Sequence, residues 1–226
     1  MSAHRDRILR NPLHLWVSIL LALVAVLGTA AAERLKPAVP PTQVRHDTAF
    51  HPVPGGKLQI RAVVYDGSTN GSLIVQVKNP GKTAQKFSAS GLYFIPEGDP
   101  NTAPQRLGAV GPMQITADAA QRKEVNELEI AAGATVDVTL DVFCIDSHRS
   151  SPSPRNRFNV ATSRMPRELS ASIERRAEAA VDKSRADGAA APRPAAKSQI
   201  QSEVWKSRDS KWIELDGEGK QEAGKR

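Results

Sequence analysis

The sequence predicts a mainly β protein, an antiparallel sandwich followed by C-terminal helical segments. Between residues 57 and 160, short runs of apolar residues alternate with polar residues at the two-residue period of a β-strand. Gly, Pro and Asn residues that favour turns separate these runs. Beyond residue 160 the spacing of apolar residues changes to that of a helix. The two patterns divide the chain into a β part and a shorter helical part.

The first 32 residues have the features of an export signal. Three arginines between residues 5 and 10 precede an uncharged stretch over residues 11–32. Its last three alanines, Ala30–Ala32, supply the small residues of a cleavage site before Glu33. The stretch is also long enough to span a bilayer, so an uncleaved N-terminal anchor is the alternative. Under either interpretation we expect the rest of the chain to be extracytoplasmic, whether secreted, periplasmic or at the cell surface.

Composition limits the classes of partner and cofactor. The 226 residues include 31 Lys and Arg against 24 Asp and Glu, a formal net charge of +7. Basic and acidic residues are interleaved, and such mixed charge is typical of a solvated surface, so we expect no nucleic-acid binding. The single Cys excludes a disulfide within one chain.

Residues 33–56 are rich in Pro and end in Gly55-Gly56, which predicts a linker or an extended arm. His46 and His51 lie in this segment. Their separation places them on one face of neither a helix nor a strand, which makes them a weak metal signal. We therefore predict no metal site and no cofactor.

Six or seven short strands are expected in a β-sandwich domain over residues 57–160. The predicted strands are Leu58–Tyr65, Leu73–Val77, Phe87–Ile95, Leu107–Ile115, Leu128–Ile130 and Val136–Cys144. Gly108, Gly111 and Pro112 interrupt the fourth strand, which favours an irregular edge position. The last strand alternates most regularly, so its apolar face should be central. The strand number and domain size are typical of an immunoglobulin-like sandwich.

Four segments are expected after the β domain: a helix over 166–187, an Ala/Pro linker over 188–197, a short helix and Trp-containing segment over 198–216, and a mobile tail over 217–226. Leu169, Ile173 and Ala177 form a narrow apolar stripe on the first helix. Trp205 and Trp212 lie in an otherwise polar segment. We expect both to dock on the sandwich, because large aromatic side chains seldom remain in solvent.

Two short segments resemble those of bacterial surface thioester domains. Phe143-Cys144-Ile145-Asp146 resembles their Cys segment, and Ile200-Gln201-Ser202-Glu203-Val204-Trp205 resembles their Gln segment. The resemblance implies that the Cys144 sulfur condenses with the Gln201 side-chain amide, that ammonia leaves, and that an amine attacks the internal thioester. From the residues alone, two other roles for Cys144 stay open. It is a buried core residue, or it pairs with His148 as a thiolate and base.

A second resemblance covers more of the β domain. Asn79-Pro80-Gly81-Lys82, Gln105-Arg106-Leu107-Gly108 and the strand from Gly133 to Cys144 resemble an uncharacterised bacterial exported β-sandwich module. No activity is implied by this resemblance.

The sequence contains no recognisable catalytic motif. We therefore predict an exported, non-enzymatic β-sandwich that acts as an envelope or surface binding module for an unknown ligand. The loops over 96–106 and 146–157 are the expected binding regions. The second loop carries three arginines that could meet an anionic ligand or be solvated, namely Arg149, Arg155 and Arg157. The alternatives are a covalent adhesin with a Cys144–Gln201 thioester and a membrane-tethered accessory subunit, which contacts the membrane only if residues 1–32 are not cleaved.

Overall fold

The computed structural model describes residues 44–118, 121–188, 192–210 and 214–218. The predicted export signal, the first part of the predicted linker, Trp212 and residues 219–226 lie outside these ranges.

Ten strands and two helices make up the described chain. The strands are β1 His51–Pro52, β2 Gln59–Tyr65, β3 Ser72–Lys78, β4 Gln85–Phe87, β5 Tyr93–Pro96, β6 Leu107–Asp118, β7 Gln121–Val125, β8 Leu128–Ile130, β9 Thr135–Cys144 and β10 Phe158–Val160. The helices are α1 Arg167–Ala186 and α2 Pro192–Ser210. The predicted strand over 87–95 is split, because a turn after Phe87 separates β4 from β5.

Eight strands form one antiparallel sheet in the order β1-β2-β3-β9-β6-β5-β10, with β7 paired to β6. Strands β4 and β8 form a separate pair. The sheet nearly closes on itself, so that β2 and β10 approach each other. The rings of Tyr65 on β2 and Phe158 on β10 meet edge to face, with 5.3 Å between their centroids. The mainly β, antiparallel architecture with C-terminal helices is confirmed.

Strand β9 is central, as its alternation predicts. It pairs with β3 on one side and β6 on the other. Its inward residues Val138, Leu140, Val142 and Cys144 are fully buried. They join the apolar core that the curved sheet encloses.

Strand β6 lies inside the sheet and not at its edge, which corrects the sequence-based expectation. It pairs with β9, β5 and β7. The register shifts between Ala109 and Met113, where Gly111 has a φ of +84°. The bulge places Gly111 and Pro112 outside the ladder, which explains how an interior strand tolerates both.

The two helices pack against each other and against one side of the sheet. Buried residues of α1 form the predicted stripe, among them Leu169, Ile173 and Ala177. Phe143 and Ile145 from the end of β9 meet this helical layer in a second apolar cluster. Neither helix within the described ranges is both long and apolar enough to cross a membrane.

Helix α2 begins at Pro192, inside the predicted 188–197 linker. Pro192 and Pro194 lie in its first turn, where a helix needs no N–H donor, so both prolines are accommodated.

The described part of the 33–56 segment is held against β2. Arg45 bridges to Val64, and β1 pairs with β2. The Thr48 hydroxyl donates to the Ala62 carbonyl at 2.8 Å. Within the segment predicted to be a linker or extended arm, Arg45 and β1 therefore extend the sheet beside β2.

Candidate functional site at the junction of β9 and α2

Cys144 ends β9 and is fully buried. Its side chain belongs to the core inside the sheet, whereas its neighbours Phe143 and Ile145 belong to the cluster beneath the helices. This alternation follows from the strand geometry, which sends successive side chains to opposite faces. The Cys144 N–H donates to the Thr69 carbonyl at 3.0 Å.

The structure brings Gln201 to Cys144 through the main chain. Gln201 lies on α2 and is 4% exposed. The Cys144 N–H donates to Gln201 Oε1 at 3.0 Å, and Gln201 Nε2 donates to the Cys144 carbonyl at 2.7 Å. Ile200 and Val204, which flank Gln201 on the same helix, are anchored in the apolar cluster. The carboxamide is thereby held at the end of β9.

Burial raises the pKa of the Cys144 thiol to about 12, and the nearby negative charge of Asp146 adds to the effect. The thiol is therefore protonated at neutral pH. His148, the base considered for a thiolate pair, is exposed on the following loop. The raised pKa opposes the thiolate that such a pair requires.

A buried ion pair lies next to this contact. Arg106 and Asp146 are both 0% exposed at their side chains. Arg106 Nε and Nη2 donate to the two carboxylate oxygens of Asp146 at 2.8 and 2.6 Å, and the Arg106 N–H donates to the same carboxylate at 3.0 Å. This bidentate geometry satisfies both charges away from water.

Residues 214–218, here called the C-terminal strap, cover this ion pair. Arg106 Nη1 donates to the carbonyls of Leu215 at 3.3 Å and Asp216 at 2.9 Å. Arg208 of α2, 1% exposed at its side chain, donates to Glu218 Oε1 at 3.3 Å. Arg208 Nε also lies 4.0 Å from Asp146 Oδ1. The strap thus closes a buried network of two arginines and two carboxylates.

Asp216 fixes the middle of the strap. Its N–H donates to the Tyr93 hydroxyl at 2.8 Å. Its carboxylate accepts hydrogen bonds from the N–H and hydroxyl of Thr162 at 2.8 and 2.6 Å, and from the Ser163 N–H at 3.2 Å. Desolvation alone would raise the pKa of Asp216, but the hydrogen bonds from Thr162 and Ser163 outweigh it and lower the pKa.

Trp205 docks on the β body. It packs against the core inside the sheet, and its indole N–H donates to Gln105 Oε1 at 3.1 Å. Together, the contacts of Gln201, Trp205 and Arg208 place the second half of α2 over the ends of β6 and β9.

The two loops proposed for binding lie side by side. The Gln105 N–H donates to the Ser150 carbonyl at 2.9 Å, and the Glu97 N–H donates to the Arg157 carbonyl at 2.9 Å. Arg149 is half-buried and directs its guanidinium toward the carbonyls of Ala103 and Gly217, each at 3.5 Å. The loops over 96–106 and 146–157 therefore form one continuous surface.

The three predicted loop arginines are in different environments. Arg155 and Arg157 are exposed, whereas Arg149 faces the strap. His46 is buried, with Nε2 3.1 Å from the Pro154 carbonyl oxygen, so it fixes the loop to the N-terminal arm. In the described ranges, no group of three or more His, Cys, Asp or Glu side chains is placed to hold a metal ion.

No family model, curated protein or solved structure matches this chain.

Sequence reasoning missed the Arg106–Asp146 pair and the strap. Asp146 belongs to a polar loop in the sequence, and its partner lies 40 residues away. Residues 214–216 of the strap end the predicted Trp-containing segment, and residues 217 and 218, which are also held, begin the predicted mobile tail. Leu215, an apolar residue in a charged segment, is the one local signal of docking there.

Proposed function

We propose that this chain is an exported, non-enzymatic binding module that recognises a cell-envelope or surface ligand with its joined loops. The export signal predicted for residues 1–32 supports the location. We also propose that the nearly closed sheet belongs to the immunoglobulin-like sandwiches, which commonly present binding loops on a rigid body.

The observation that carries this proposal is the pairing of the 96–106 and 146–157 loops. Hydrogen bonds tie each loop to the other, His46 ties the second loop to the N-terminal arm, and Thr69 ties it to the turn between β2 and β3. Loops held in this way lose little conformational freedom on binding. Arg155 and Arg157 project from this surface and favour an anionic polymer.

Binding to isolated envelope polymers tests the proposal. The double variant R155A/R157A should weaken binding to an anionic polymer and reduce its salt dependence. The matched control is R167A/R175A, which removes two exposed arginines from α1. Equal affinity of both double variants and the wild type would remove the loop surface as the site. N-terminal sequencing of the exported chain separates a cleaved signal from the membrane-tethered accessory subunit.

A second candidate function is a covalent adhesin with an internal thioester. Its support is the position of the Gln201 carboxamide against Cys144. In the condensation, the Cys144 sulfur bonds to the Gln201 side-chain carbonyl carbon, the C–N bond breaks, and the thiol proton leaves with the amide nitrogen as ammonia. The reaction requires the Cys144 side chain to turn from the sheet core toward Gln201.

Intact mass decides this second candidate. A thioester makes the chain lighter by one ammonia and removes the titratable thiol of the unfolded protein. In the variant Q201A, which cannot form the thioester, we expect no loss of ammonia and one titratable thiol. A wild-type chain of full mass with one titratable thiol in denaturant would eliminate the thioester.

A further inference from the structure

The C-terminal strap is held by groups from five separate regions of the chain. Tyr93 comes from β5, Arg106 from the segment before β6, Arg149 from the 146–157 loop, Thr162 and Ser163 from the turn after β10, and Arg208 from α2. These groups converge on one short segment, which turns at Asp216 and Gly217. They contact both its main chain and its carboxylates.

Four residues of the strap, 215–218, are recognised for different chemical reasons. Leu215 is 4% exposed and belongs to the apolar cluster beneath the helices. Asp216 presents a carboxylate to the donors of Thr162 and Ser163. Gly217 has a φ of +78°, and a Cβ there would overlap the side chain of Ile95. Glu218 meets Arg208 and also accepts the Leu215 N–H at 2.9 Å. The contacts therefore select an apolar-Asp-Gly-Glu sequence.

Arg106, Tyr93 and the main-chain donors of Thr162 and Ser163 are positioned by contacts outside the strap. Asp146 binds Arg106 through three hydrogen bonds. The Thr162 and Ser163 N–H donors belong to the main chain, and the Tyr93 hydroxyl lies 3.3 Å from the Ser163 hydroxyl. A site whose donors stay in place without the ligand binds at a low conformational cost.

We propose that Tyr93, Arg106, Thr162, Ser163 and Arg208 form a binding site for an acidic peptide segment of apolar-Asp-Gly-Glu chemistry, which residues 214–218 fill in cis. The covalent link gives the strap an effective concentration on the order of millimolar. A partner that carries the same segment must therefore compete with the strap, which makes the strap an autoinhibitory occupant of the site.

Peptide binding to the full chain tests this proposal. The probe is a fluorescein-labelled Glu-Leu-Asp-Gly-Glu peptide with a capped C-terminus, measured by fluorescence polarisation. The receptor is the double variant D216A/E218A, in which the cis strap has lost both carboxylates. We expect it to bind the peptide at least about tenfold more tightly than the wild type, because the cis competitor is weakened. A peptide with Asn in place of Asp should bind about tenfold more weakly.

A second receptor variant, G217A, allows the test if D216A/E218A does not fold. G217A retains both strap carboxylates but displaces the strap through the contact with Ile95. Circular dichroism and cooperative urea unfolding establish that each variant is folded. Folded variants that bind no peptide, or that bind a scrambled peptide equally well, would overturn the proposal.

If neither variant unfolds cooperatively, hydrogen exchange of the wild-type chain tests the proposal. Saturating peptide should then accelerate hydrogen exchange of the Leu215 and Asp216 amides, which donate to Glu218 and Tyr93. Unchanged exchange at both amides would likewise overturn the proposal.

Discussion

The side chain of Gln201 is joined to the main chain of Cys144 by two hydrogen bonds that run in opposite directions. The amide of a helix side chain thus takes the place of a neighbouring strand at the end of β9. Because the contact involves main-chain atoms, it does not depend on the Cys144 sulfur. The same geometry serves as a structural clamp and as the starting position for the thioester candidate.

Replacing Gln201 with Ala should destabilise the fold by about 1–3 kcal/mol. The Cys144 carbonyl then loses the Gln201 donor in a buried environment, whereas its N–H retains the Thr69 carbonyl. Urea unfolding measures the loss. Gln199→Ala is the matched control, because Gln199 is exposed on the same helix. Equal stability of the two variants would show that the clamp contributes nothing.

Removing one partner of the buried Arg106–Asp146 ion pair should lower the free energy of unfolding by more than Gln201→Ala does. Asp146→Ala leaves the Arg106 guanidinium buried beside the strap, and we expect a loss of about 3–5 kcal/mol in the free energy of unfolding. Asp182→Ala, which breaks the exposed pair between Asp182 and Arg185, should cost about 0–1 kcal/mol.

The double variant R106M/D146L provides a further check on the ion pair. It removes both charges and keeps most of the volume, so it should be more stable than Asp146→Ala. A double variant as unstable as the single variant would show that losing the hydrogen bonds from Arg106 to the strap costs as much as leaving the Arg106 charge unpaired.

Gly111→Ala should destabilise the bulge of β6 by more than Gly133→Ala destabilises its turn. Both glycines have positive φ, which costs a residue with a Cβ about 1–2 kcal/mol. A Cβ at Gly111 would also overlap the Arg193 guanidinium, which binds Asp141, whereas the space around Gly133 is open. Because this guanidinium is the flexible end of its side chain and can shift, we expect an additional loss of only about 0.5–1.5 kcal/mol at Gly111. Equal thermal and urea stability of the two variants would contradict this.

Asp216 should make the strap sensitive to acid. Its pKa is lower in the folded chain than the ordinary value of 3.8, so the unfolded chain binds the proton more readily. The stabilisation is therefore complete above the ordinary value and is lost as the pH falls through the lowered pKa. The difference in unfolding free energy between the wild type and Asp216→Asn should shrink as the pH falls below 3.8. A difference that is constant from neutral pH to pH values well below this range would refute the role of the Asp216 charge.

Local patterns predicted the regular elements well. Alternation indicated β2, β3 and β9, and the apolar stripe indicated α1, because each pattern reflects which side of one element is buried. The local sequence pattern gave the wrong position for β6, where Gly111 and Pro112 suggested an edge strand. A bulge inside a sheet accommodates the same residues, and only the pairing of neighbouring strands distinguishes the two cases.

The candidate site depended on contacts that no local pattern contains. The burial of Asp146 depends on Arg106, which reaches it from the segment before β6, and the strap is held because five regions supply its donors. The resemblance to thioester domains indicated that Cys144 and Gln201 belong together. It could not indicate that the contact would be made by the Cys144 main chain, since this depends on which face of β9 meets α2.

The cover over the buried ion pair has a consequence for the order in which the chain matures. A polypeptide that emerges N-terminus first exposes Arg106 and Asp146 to water long before Arg208 and Glu218 exist. Until those later residues are delivered, the pair remains hydrated and that end of the sheet stays unsealed. The Arg106–Asp146 pair therefore loses its water in the last stage of folding. In a nascent chain stalled before residue 208, we expect this pair to remain hydrated even where the sheet has formed.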